Sequence, residues 1–173
     1  MKGRLALAAA LALPMSLGAC GLSPMYAGGG SGTVAQGLAE VSVAPIEGRG
    51  GWLVRNALND RLGGTGEESG ARYRLDVILD DQLEGLGLLT DDTIGRERRT
   101  LRARYQLVDN ASGEILLDAT AGSDAGIDVV SSEYATIAAE QTALENLARD
   151  VADRIVTQLA LKFRPQGTML SEP

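Results

Sequence analysis

Between residues 96 and 121 the chain changes character at every step. Leu101, Ala103, Tyr105 and Leu107 share one parity, while Arg98, Thr100, Arg102 and Arg104 share the other. The alternation resumes with Ile115, Leu117, Ala119 and Ala121 opposite Glu114, Asp118 and Thr120. Successive residues of an extended chain point to opposite faces, so a period of two fits strands that are wet on one side only. The interruption, Asp109-Asn110-Ala111-Ser112-Gly113, is made of turn formers, which predicts a hairpin. Residues 73–80 repeat the pattern, with Tyr73, Leu75, Val77 and Leu79 against Arg72, Arg74, Asp76 and Asp80. Such a sheet needs a cover for its apolar face.

Ile137, Gln141, Leu144, Ala148, Val151, Ile155 and Leu159 recur at helical spacing and predict a long helix with one apolar stripe. Ser131 or Ser132 is placed to cap it, Glu133 suits its first turn, Lys162 and Arg164 suit its last, and Pro165 stops it. A shorter helix over residues 52–62 aligns Val54, Leu58 and Leu62 and ends at Gly63-Gly64. Residues 40–46 alternate briefly before and through Pro45 and read as a short edge strand. Residues 48–51 read as a glycine-rich turn, residues 84–95 as a long loop, and Trp52 as a packing residue. The order β-α-β-β-β-α predicts an α+β two-layer sandwich, a four-stranded sheet with two helices packed on one face.

Composition excludes several functions. Among 173 residues there is no His and a single Cys, which removes imidazole general bases, Ser-His and Cys-His pairs, thiolate zinc cages and an intramolecular disulfide. We expect no enzyme, no cofactor and no metal site. Gly85-Leu86-Gly87 lacks the rest of a nucleotide-binding loop, and Asp80-Asp81 and Asp91-Asp92 lack the ligand ladder of a calcium site. The net charge of -7 argues against nucleic acid, which needs a basic surface.

The first residues carry an address. Met1-Lys2-Gly3-Arg4 precedes an apolar run from residue 5 to residue 17, too short for a spanning helix of roughly 20 residues. The run ends at Leu17-Gly18-Ala19-Cys20, which resembles the lipobox of bacterial lipoproteins, with the sole Cys where acylation requires it. Acyl chains on Cys20 would anchor the protein to a membrane. The absence of Asp after Cys20 points, by resemblance to other Gram-negative lipoproteins, to the outer membrane. The expected organisation is a signal peptide over residues 1–19, a flexible tether over residues 20–37, one α+β domain over residues 38–165 and a flexible tail over residues 166–173.

Within the acidic chain, Arg96, Arg98, Arg99, Arg102 and Arg104 form a basic cluster. Strand parity puts Arg98, Arg102 and Arg104 on one face, with Arg96 extending the row. Guanidinium groups in a row suit phosphates such as those of a lipid headgroup. The plainer alternative is a solvent face on which these arginines pair across strands with Asp76, Asp80, Glu114 and Asp118.

Taken together, these parts resemble a known family. Cys20-Gly21-Leu22-Ser23-Pro24-Met25-Tyr26 resembles the mature start of the LPS-assembly lipoprotein family LptE. Arg55-Asn56-Ala57-Leu58-Asn59-Asp60-Arg61-Leu62 resembles its first helix, and Tyr73-Arg74-Leu75-Asp76-Val77 its second strand. Residues 99–105, Leu107-Val108-Asp109 and Gly113-Glu114-Ile115-Leu116 resemble its central hairpin, and Tyr134-Ala135 its last helix. The resemblance implies an outer-membrane lipoprotein, periplasm-facing or within a barrel lumen, that plugs the β-barrel LptD, supports its assembly and assists lipopolysaccharide transport to the surface. It also implies lipopolysaccharide as a ligand, with Arg96, Arg98, Arg102 and Arg104 as candidate contacts by type and place. The competing reading is an auxiliary lipoprotein of a lipid-transporting ABC system.

Overall fold

The structure, a computed structural model, describes residues 32–63, 70–88 and 94–164. The elements run α1 (Thr33–Ala39), β1 (Val41–Val43), α2 (Gly48–Leu62), β2 (Tyr73–Leu88), β3 (Ile94–Asp109), β4 (Ile115–Asp128) and α3 (Glu133–Phe163). The four strands lie side by side in chain order. β1 runs parallel to β2, and the other two pairings are antiparallel. The two-layer α+β sandwich is as expected, but its helical layer holds three helices where the sequence predicts two.

Odd-numbered residues of the long strands supply the core. Leu75, Leu101, Tyr105 and Leu107 are fully buried against Val54 and Leu58 of α2 and Leu147, Val151, Ile155 and Leu159 of α3. Ala103, Ala119 and Ala121 let the helices approach the sheet closely. The stripe expected on α3 is present from Leu144 to Leu159 and widened by Leu147, Ala152 and Val156, whereas Ile137 is 54% exposed and Gln141 is exposed. Ser132 stands at the N-cap position, but it acts through its carbonyl, which accepts from the amides of Ala135 and Thr136, and not through its side chain.

Four local expectations are corrected. The extra helix, α1, stands in the segment whose glycines suggest a tether. Val34 and Leu38 enter the core, and Gly37 sits against the Phe163 ring, where a Cβ would come within 2.7 Å of Cγ. The glycines of residues 48–51 form the first turn of α2, not a separate turn, and Gly51 is required because a Cβ there would lie 2.5 Å from the Ile46 carbonyl oxygen. The segment expected as a loop over residues 84–95 is mostly hairpin, with Glu84 opposite Arg98 and Leu88 opposite Ile94. Trp52, expected to pack, is 63% exposed. Cys20, the lipobox and the expected C-terminal tail lie outside the described residues.

Candidate binding surface: the arginine face of the sheet

The sheet face away from the helices is built from even-numbered residues. Its middle strand carries Arg96, Arg98, Thr100, Arg102 and Arg104, flanked by Asp76, Asp80 and Glu84 on β2 and by Asp118, Asp124 and Asp128 on β4. The result is a basic stripe between two acidic ones. The fold thus brings all four expected arginines onto one surface, because an uninterrupted strand keeps their parity from residue 96 to residue 104.

They do not share one environment. Arg104 makes a fork to Asp118, 3.2 Å from Nε and 2.9 Å from Nη2, while Gln106 donates to the same carboxylate at 2.8 Å. These bonds, that from Arg104 first, hold the Asp118 carboxyl below the usual carboxylate range and raise Arg104 in turn. Arg96 lies 3.3 Å from Asp128. Arg98 and Arg102 have no carboxylate oxygen within 4.0 Å among the described residues. In register, Arg98 faces Glu84 and Arg102 faces Asp80. Asp80, however, accepts from Gln82 at 2.9 Å, and Asp76 is held by Arg74 of its own strand at 3.0 Å. Of the four cross-strand partners the sequence suggests, only Asp118 takes one of these arginines.

Arg102 also borders an open depression of about 430 Å³ with Ile78, Asp80, Thr100, Arg104 and Gly122. Its floor exists because Gly122 has no side chain; a Cβ there would lie 3.3 Å from Arg102 Cγ. Ile78 stands 74% exposed beside it, an apolar side chain on a charged face. The depression therefore offers a guanidinium without an ion-pair partner next to an apolar contact.

Arg99 belongs to the other face. Its guanidinium donates to both oxygens of Asp81, at 2.8 and 2.7 Å, and to the Glu140 carbonyl of α3 at 3.2 Å, so it ties sheet to helix. Odd parity alone distinguishes it from its four neighbours. Asp124 and Asp128 were missed because β4 was expected to end at residue 121. The signal was present, since Ser123, Ala125 and Ile127 continue one parity and Gly122, Asp124, Gly126 and Asp128 the other. Among the described residues no group of three or more acidic or sulfur ligands is placed to hold a metal ion, and no helix is long and apolar enough to cross a membrane.

Fold and face define a class: a small α+β module that presents a charged sheet surface on the side away from its helical layer. A family model, LptE, described as lipopolysaccharide-assembly, matches residues 38–159, and the chain belongs to that family. It is similar to a putative lipoprotein from Caulobacter crescentus CB15, at 27% identity over 76% of this chain and 98% of that one, with a TM-score of 0.64. The minor lipoprotein from Acinetobacter baumannii shares the fold at 13% identity, covering 71% of this chain and 92% of that one, with a TM-score of 0.57. An uncharacterized lipoprotein B from Nitrosomonas europaea does so at 13% identity, 70% and 86% coverage and a TM-score of 0.53. No curated protein sequence matches the chain.

Membership makes this an outer-membrane, lipid-anchored lipoprotein of lipopolysaccharide assembly. The family is non-catalytic, and the chain is not an enzyme. Membership also implies an LptD-like partner and association with lipopolysaccharide and membrane.

Proposed function

We propose that the folded domain sits in the hydrated lumen of an LptD-like outer-membrane barrel, tethered through acyl chains on Cys20, and that its arginine face meets lipopolysaccharide. The lumen of such a barrel is polar, so a soluble domain with one charged sheet face suits it better than a lipid surface would. In this reading the domain plugs the barrel and supports its assembly, and Arg96, Arg98, Arg102 and Arg104 line the contact with the lipid's phosphates. Arg96 and Arg104 are half-committed to Asp128 and Asp118, so Arg98 and Arg102 carry the recognition.

The observation behind this is the difference within the row: among the described residues two arginines are paired and two are not, and Arg102 borders the depression. A guanidinium that keeps its donors free in the unbound protein offers them to a phosphate without first breaking an ion pair. The test is charge reversal. Arg98→Glu with Arg102→Glu should weaken lipopolysaccharide binding by about tenfold or more, equivalent to about 1.4 kcal/mol, with an unchanged melting temperature. Unchanged binding in the double variant would reduce the row to a solvated face.

A further inference from the structure

The sheet has two edges of very different length, β1 with 3 residues and β4 with 14. Backbone direction along β4 follows from two bonds. The Val129 amide just after the strand donates to Gly95 on the β3 side, whereas the Gly122 carbonyl is taken from outside by the Arg154 guanidinium of α3. Odd-numbered residues of this stretch therefore face β3, and Thr120, Gly122, Asp124 and Gly126 turn their amides and carbonyls outward. Asp118, Asp124 and Arg154 blunt this edge against indiscriminate pairing, but no further strand among the described residues pairs with it.

Space is available on both sides of the edge. The depression of about 430 Å³ on the arginine face meets, at Gly122, a second one of about 370 Å³ between β4 and α3, bordered by Asp153, Arg154, Thr157 and Gln158. The charged side chains of β4 itself are all acidic, Asp118, Asp124 and Asp128, although Arg102, Arg104 and Arg154 line the depressions beside it. Asp124 on the outer face and Asp150 on the helix side have no cationic partner among the described residues, Asp150 accepting only from Ser123 at 3.2 Å. Self-pairing of two copies would bring a second set of Asp118 and Asp124 carboxylates onto the same face, so the surface disfavours its own copy.

We propose that residues 120–126 of β4 form a strand-addition site for an extended basic segment of another polypeptide. The guest strand hydrogen-bonds to the outward backbone groups, sets Lys or Arg on alternate positions near Asp124, and places small or apolar side chains in the helix-side groove. It displaces Arg154 from Gly122. The released guanidinium then meets Asp150, four residues earlier on the same helix face. This surface is distinct from the arginine row, so the proposal stands apart from the lipopolysaccharide contact.

The test uses the full-length lipoprotein in detergent and a capped peptide, Thr-Lys-Val-Lys-Val-Lys-Thr, followed by amide exchange. Saturating peptide should slow exchange at Thr120, Gly122, Asp124 and Gly126 by roughly tenfold or more, while the analogue with Glu for Lys should not. Arg154→Ala, which removes the competing cap, should tighten peptide binding. Asp124→Pro removes one outward amide without touching the β3 ladder and should abolish it. Absence of protection at these amides, or equal protection by the Glu analogue, would overturn the proposal.

Discussion

Tyr105 is fully buried, and its hydroxyl meets no hydrogen-bonding group among the described residues. Burial without a partner pushes the phenol's pKa up and leaves a polar atom where an apolar one would cost less. Tyr105→Phe should therefore raise stability by about 1 kcal/mol, read as a higher urea midpoint with an unchanged slope. Gly37 makes the opposite case. Its missing Cβ is where Phe163 packs, so Gly37→Ala should destabilise by about 1–3 kcal/mol despite the better helix propensity of Ala, and thermal unfolding would show it. The arginine row separates at this scale too. Arg104→Ala breaks an exposed pair and should lower the melting temperature only slightly, whereas Arg102→Ala breaks none among the described residues and should leave it unmoved.

Between elements, α2 and α3 are joined by Arg61, which forks to the Asp153 carboxylate and also donates to the Ala57 carbonyl at 2.9 Å. The hydrogen bond from Arg61 holds Asp153 below the usual carboxylate range. A carboxyl whose folded pKa lies below its unfolded one stabilises the fold above the unfolded value and loses that contribution as pH falls through the folded one. Asp153→Asn should thus cost about 0.5 kcal/mol at pH 7, and the difference from the parent should shrink as pH falls below the usual carboxylate range, as urea midpoints along an acid series would report. The central hairpin and α3 were legible because their alternation and stripe are dictated by burial. α1 was not, since Gly37 reads as a helix breaker until Phe163 is seen against it. The outer half of the hairpin was hidden for a related reason: Gly85 and Gly87 look like loop, yet the pairing of β2 with β3 continues past them to Leu88 and Ile94. Parity also placed the four arginines on one face, but it was silent on which would be paired, because that depends on register and on side chains that turn along their own strand, as Arg74 and Gln82 do.

At the scale of the molecule, the described chain enters through α1 beside Tyr73 and Phe163, at the end of the sheet where β2 begins and β3 finishes. The hairpin of 16-residue strands extends away from that end, roughly 50 Å at the usual rise. In the proposed arrangement a tether attached upstream of α1 would hold one end of the sandwich near the membrane and leave the arginine face and the β4 edge along its flank. Both surfaces are long and charged, which accords with the proposed place inside a barrel. The account stands or falls on that association. Tagged full-length protein drawn from mildly solubilised outer membranes should bring an LptD-like barrel with it in near-equal amount, with lipopolysaccharide bound; recovery as a free monomer without the barrel would contradict it.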